Sequence, residues 1–161
     1  MSKFIPKIIG GFINFISLFS TTSASNIAIY IFSKPRKGKI NQEEEEFLAT
    51  AKHKVIYYND IGIQSYQWQG NKPTVLLVHG WESNSYRWKD LIKKLKSEDY
   101  NIISIDAPAH GNSGSKIFNA ILYSECIHVV INHFNIHTII GHSVGGTASA
   151  IALHNYKISA V

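Results

Sequence analysis

HTIIGHSVGGTASAIALH, residues 137–154, holds the pattern that decides the fold. A β-branched run at 137–141 passes into G-H-S-V-G-G, and residues 144–154 then continue with helical character. A strand that becomes a helix within two residues must turn sharply. Ser143 falls on that turn, with Gly141 two residues before it and Gly145 two residues after. The turn is crowded, so the flanking positions must be small, and the serine hydroxyl is lifted clear of the sheet. A chance G-x-S-x-G in a chain this long has a probability on the order of 5%. Placement between strand and helix argues further against a merely packing role.

Residues 75–78 (VLLV) are a continuous apolar run and 102–105 (IISI) an apolar run broken only by Ser104, the mark of strands buried on both faces. Residues 55–58 and 63–68 are β-branched and aromatic, and they flank the turn 59–62, so they predict an antiparallel hairpin. Residues 88–95 and 117–134 have helical spacing. Strand and helix alternate three times, which predicts an α/β fold: a mostly parallel sheet with helices on both faces. In such sheets ligands bind beyond the carboxyl ends of the strands.

Two further motifs stand at those ends. H-G-W, residues 79–81, follows the run 75–78, and D-A-P-A-H-G-N-S, residues 106–113, follows 102–105. Gly80 allows close backbone approach, and Pro108 with Gly111 shapes a loop. His79 and Asp106 are tempting as a catalytic base and acid. Each ends a buried strand, where polar residues commonly bond loop amides, so both are assigned structural roles.

These three motifs, in this order and on these elements, resemble the α/β-hydrolase superfamily over roughly residues 55–161. The resemblance implies an α/β-hydrolase-like sheet, truncated after the helix that leaves the nucleophile elbow. It implies Ser143 as the nucleophile, and the backbone N–H groups of Trp81 and Val144 as the oxyanion hole. Serine rather than aspartate at the nucleophile sets the chain with esterases, lipases, C–C hydrolases and acyltransferases, and apart from haloalkane dehalogenases and epoxide hydrolases. Family members often carry glycine where this chain has Ala109. The implied function is an esterase- or lipase-like serine hydrolase, taking a small-molecule ester-like (acyl) substrate through an acyl-enzyme. No cofactor and no metal are implied.

The family's triad places the acid and the histidine after the nucleophile along the chain. After Ser143 the sequence has His154 and no acid. His154 lies about three turns along the helix that leaves the elbow, out of reach of Ser143. Residues 157–161 look like the opening of a next strand. The expectation is the N-terminal half of an α/β-hydrolase domain at 41–161, active in the complete protein or with a complementing C-terminal half. The alternative is a catalytically inactive fragment, or a non-catalytic binding protein that keeps the fold.

The formal charge of +5 is concentrated. Residues 1–40 hold Lys3, Lys7, Lys34, Arg36, Lys37 and Lys39 and no acid, so they carry +6, leaving −1 for the rest. The folded part has no basic excess to offer nucleic acid. Cys126 is the only cysteine, which rules out an intramolecular disulfide, fits a reducing compartment and, on a helix, implies an inert thiol. In residues 1–40 the side chains of Ile9, Phe12, Ile13, Ile16 and Phe19 share one helical face. Three readings compete for this segment: an amphipathic helix on the domain or on a membrane surface, a signal peptide with small residues at 23–25, and a membrane anchor. The expected location is cytoplasmic, with peripheral membrane contact through this segment. The acidic run 43–46 is expected in the first turn of a helix capped by Asn41 and closed by Lys52, His53 and Lys54.

Overall fold

The computed structural model describes residues 4–36 and 40–156. The chain divides into two compact units, one up to Lys34 and one from Pro35 onward. The first contains α1 (Phe4–Ser17) and α2 (Thr21–Phe32). Ser20 caps α2, its hydroxyl accepting the Ser23 N–H at 3.2 Å. Among the described residues, no helix is long and apolar enough to cross a membrane.

In the second unit, α3 (Gln42–Leu48) opens with a capping box. The Asn41 side chain accepts from the Glu44 N–H, and the Glu44 carboxylate accepts from the Asn41 N–H, both at 3.0 Å. The helix is shorter than its charge pattern implies. It stops at Leu48, and Lys52, His53 and Lys54 instead open β1 (Lys52–Tyr58). Ladder pairing outweighs the dipole argument there: Lys52 lies opposite Gln67, and Lys54 opposite Ser65. His53 still reaches the helix end, donating from Nε2 to the Leu48 carbonyl at 2.9 Å.

β1 and β2 (Ile61–Trp68) form the expected antiparallel hairpin, closed by Asn59 and Asp60 alone, with Asn59 at a φ of 49°. Then follow β3 (Lys72–Val78), a 3₁₀ turn Ser85–Trp88, α4 (Lys89–Ser97), β4 (Tyr100–Ile105), α5 (Ala120–His133), β5 (Ile136–Gly141) and α6 (Val144–Tyr156). The sheet order is β1-β2-β4-β3-β5. β3 pairs in parallel with β4 and with β5, while β2 meets β4 antiparallel. Among the described residues β5 pairs with β3 alone.

Strand alternation sorts the core into two layers. Leu76 and Val78, Ile103 and Ile105, and Ile63 face a cluster with Tyr123, Cys126, Ile127 and Val130 of α5 and Ala148 and Ala152 of α6. Val75 and Leu77, Ile102, Tyr66 and Trp68 face the other way, onto Ile92 of α4 and Leu48 of α3. β3 therefore has apolar cover on both faces and a strand on each side. The parallel strands end together, so the loops after β3 and β5 open at one edge of the sheet.

Leu76 is fully buried, in register with Ile103 and Ile139. Leu76→Ala should cost about 2–5 kcal/mol of unfolding free energy. Tyr57→Ala, at a side chain 67% exposed on the edge strand, should cost less than about 1 kcal/mol. Urea unfolding of the two variants checks this, and equal losses would contradict the layered core.

Candidate active site

β5 ends at Gly141 and α6 begins at Val144, leaving His142 and Ser143 to make the turn. The His142 N–H donates to the Val78 carbonyl at 2.9 Å, which prolongs the β3–β5 ladder by one bond. Ser143 then adopts φ 54°, in the left-handed region, which costs a residue with a Cβ of order 1–3 kcal/mol. The Gly145 N–H returns to the His142 carbonyl at 2.9 Å, and the Thr147 N–H to the Ser143 carbonyl at 3.2 Å, which starts the helix.

Two glycines make this turn possible. A Cβ on Gly141 would stand 2.5 Å from the Gly146 Cα. One on Gly145 would stand 2.4 Å from the His79 carbonyl oxygen and 2.5 Å from that of Val78. These are backbone atoms that cannot yield. The β3 end also touches the elbow itself, since a Cβ on Gly80 would lie 3.1 Å from the Ser143 Cβ. Gly80, Ser143 and the start of α6 are thus gathered at one spot, and Ser143 is exposed there.

His79 is fully buried, and both its ring nitrogens are engaged. Nδ1 donates to the Gly80 carbonyl at 2.7 Å, and Nε2 accepts the Ala107 N–H at 2.9 Å. The ring therefore joins the loop after β3 to the loop after β4 as a neutral imidazole. Burial pushes its pKa down to about 4, against a smaller upward pull from Asp106. His110, which the sequence did not single out, plays the matching part. Its Nδ1 donates to the Pro108 carbonyl at 2.8 Å, its Nε2 accepts the Glu82 N–H at 3.0 Å, and burial lowers its pKa too. The only cue in the sequence is that His110 lies inside the motif 106–113.

Asp106 is buried and committed. Its carboxylate accepts from the Ser85 N–H at 2.8 Å, the Asn112 N–H at 2.9 Å and the Tyr66 hydroxyl at 2.9 Å. Gly111, at φ 50°, passes so close that a Cβ would sit 2.1 Å from an Asp106 oxygen. Ala109 stands at φ 62°, a conformation glycine would adopt without strain. Ser113 completes the loop, donating to the Asp106 carbonyl at 2.7 Å and accepting the Gln64 N–H at 2.9 Å.

Trp81 lies between two held residues: His79 fixes the Gly80 carbonyl and His110 fixes the Glu82 amide. Its ring packs on His110 and Phe118, with centroids 5.5 and 5.1 Å away. Among the described residues, the N–H groups of Trp81 and Val144 make no backbone hydrogen bond outside the regular elements. Val144, as the first residue of α6, has no intrahelical acceptor. The turn offers an exposed serine hydroxyl beside a helix N-terminus, a kind of group that can attack a carbonyl next to amides that can hold a developing oxyanion. Among the described residues, no hydrogen bond joins the Ser143 hydroxyl to a proton acceptor, although the His142 ring lies beside it, with its Nδ1 as near to the Gly80 Cβ position as the Ser143 Cβ is, at 3.1 Å. His79 and His110 are engaged, and His154 lies about 15 Å along α6 from Val144 at 1.5 Å per residue. Its Nδ1 is 3.3 Å from Asn155.

A family model described as alpha/beta hydrolase fold matches residues 73–160, more than half of the chain. A pimeloyl-[acyl-carrier protein] methyl ester esterase of Vibrio vulnificus is 29% identical over 92 residues, covering 56% of this chain and 35% of its own length. The chain thus spans about a third of the length of the curated relatives it matches. Among solved structures, the mouse alpha/beta hydrolase domain-containing protein 10 superposes with a TM-score of 0.62 at 14% identity, over 69% of this chain and 47% of that one. A thioesterase domain from the curacin biosynthetic pathway gives 0.62 at 19% identity, over 68% and 42%. At these identities the structural likeness is one of fold.

The buried neutral imidazole has a measurable consequence. His79 titrates near 4 when folded, against 6.5 for an unperturbed histidine, so the unfolded chain takes up the proton first as pH falls. Its contribution is fully present above about pH 6.5 and drains away toward pH 4. Between about pH 7 and pH 5 this one group should remove about 2 kcal/mol of stability. Urea unfolding at both pH values should show the loss, and His79→Gln should flatten the slope. An unchanged slope in the variant would contradict a neutral, buried His79.

Proposed function

This chain belongs to the alpha/beta hydrolase family, and on that premise we propose that it carries the nucleophile and oxyanion hole of a serine hydrolase for carboxylic-ester-type substrates. The observation that carries the reading is Ser143 itself. An exposed serine is held in the left-handed region, between two glycines that admit no side chain, with Gly80 against its Cβ.

In this reading the Ser143 Oγ attacks the acyl carbon of the substrate while a base takes its proton. The carbonyl π electrons move to oxygen, and the Trp81 and Val144 N–H groups hold the resulting oxyanion. Collapse of the tetrahedral intermediate expels the alcohol, which takes the proton back from the base. Water, activated by the same base, then attacks the acyl-enzyme and frees the acid. Asp106 and His79 shape the loops without touching the reacting atoms. The ester class is favoured by the Vibrio relative, whose name specifies a methyl ester. The base and its acid partner would come from a complementing C-terminal half, in keeping with the share of the relatives that this chain spans.

A second reading, a binding protein or inactive fragment that keeps the fold without the reaction, is favoured by one observation. Among the described residues no histidine is hydrogen-bonded to Ser143, and the two buried beside the site have both nitrogens engaged.

Two measurements test the first reading. Joined to a complementing half, the protein should react with a fluorophosphonate at Ser143, and Ser143→Ala should abolish labelling. The 161-residue chain alone should turn over p-nitrophenyl acetate no faster than its own Ser143→Ala variant. Labelling that survives the substitution defeats the assignment. In the joined protein Trp81→Leu should keep most of the turnover number. Trp81→Pro, which deletes the N–H, should lose on the order of 10²-fold or more. Equal losses would count against a backbone role for Trp81.

A further inference from the structure

We infer that the α1–α2 hairpin is a docking surface for an anionic lipid surface, a property that goes beyond the proposed hydrolysis and does not depend on it. α1 carries two adjoining apolar faces. Ile9, Ile13 and Ile16 are half-buried, at a spacing of three to four residues. Ile8, Phe12, Phe15 and Phe19 follow the same spacing on another face, and all are exposed: Ile8 by 70%, Phe12 by 58%, Phe15 by 60% and Phe19 by 78%. The rings of Phe15 and Phe19 meet at 5.3 Å, which carries the stripe past the helix end. On α2, Ala24 is the one buried residue, and Ile29 and Phe32 are exposed. The hairpin therefore packs one face internally and leaves a second apolar face uncovered.

Charge selects the occupant. Residues 1–40 contain six basic residues and no acidic one. Lys7 is exposed and lies one position before Ile8 of the stripe. Lys34 is exposed two residues beyond Phe32, with its Nζ 4.0 Å from the Tyr30 ring centroid. An apolar stripe flanked only by cations fits acyl chains beneath anionic headgroups. Length sets the mode. At 1.5 Å per residue α1 measures about 21 Å and α2 about 18 Å, short of the roughly 30 Å hydrocarbon core. The helices would therefore lie in the interface and not cross it.

The test is flotation of the whole 161-residue chain, carrying Ser143→Ala so that hydrolysis plays no part, with two kinds of vesicle. One is phosphatidylcholine alone and the other is phosphatidylcholine mixed with phosphatidylglycerol. Flotation separates lipid-bound protein from aggregates, which sediment. The chain should float with the anionic vesicles, more weakly with the neutral ones, and less as salt is raised. Lys7→Gln with Lys34→Gln should weaken partition on the order of tenfold or more. Phe12→Ser with Phe15→Ser should weaken it by more than about a hundredfold. Both variants should keep the parent's circular dichroism and urea midpoint. No flotation, equal flotation with both vesicles at any salt, or variants that float like the parent would overturn the inference. So would a hairpin-dependent dimer in gel filtration that ignores lipid, which would assign the stripe to a second copy. Loss of the fold in the Phe12/Phe15 variant would also overturn it, by placing those rings in a packed core.

Discussion

The site depends on how closely two backbones approach each other. The start of α6 lies so near the end of β3 that only hydrogen fits on Gly145, because the carbonyl oxygens of Val78 and His79 occupy the space a side chain would need. The parallel pairing of β3 with β5 brings the two elements together, and the His142 N–H to Val78 bond continues that pairing into the turn. Once they are this close, Gly80 lies against Ser143. The place of Ser143 against the end of β3 is thus a consequence of sheet register and of two missing side chains.

The same region is held by a set of polar groups bonded to its loops. The rings of His79 and His110 lie edge to face, 5.5 Å apart, each donating to a carbonyl and accepting from an amide. A neutral imidazole is well suited to this, since it offers one donor and one acceptor on opposite sides of a rigid ring. A protonated ring would lose the acceptor, so burial and bonding favour the same state. Asp106, by contrast, is an acceptor only, and three donors converge on it. The loops after β3 and β4 are therefore joined through side chains that lie beneath the backbone they support.

Much of this architecture was legible in local pattern. The runs 75–78 and 102–105 are apolar at every position but one, and they became the central strands, covered on both faces. Spacing around Ser143 located a turn whose crowding the glycines then displayed. The misreadings came where tertiary pairing overrides local preference. Lys52, His53 and Lys54 suit the end of a helix by charge, but opposite β2 they gain a ladder. The long helix expected from residue 117 starts at Ala120, because Asn119 caps it, accepting the Leu122 N–H at 2.8 Å. In α1 the half-buried and exposed apolar side chains adjoin in one wide arc, so periodicity does not separate them, and it groups Phe12 with Ile13. His110 stayed unassigned because its partner Glu82 is remote in sequence, and cross-loop bonds leave no local trace.

The left-handed backbone at Ser143 also bears on what kind of residue is retained there. Glycine would adopt φ 54° freely, and asparagine nearly so. An exposed serine gains no core contact to offset the difference. Local energetics alone would therefore replace this residue, and a version of the chain optimised purely for thermal endurance would carry glycine at position 143. Robustness and the hydroxyl are in direct opposition at this residue.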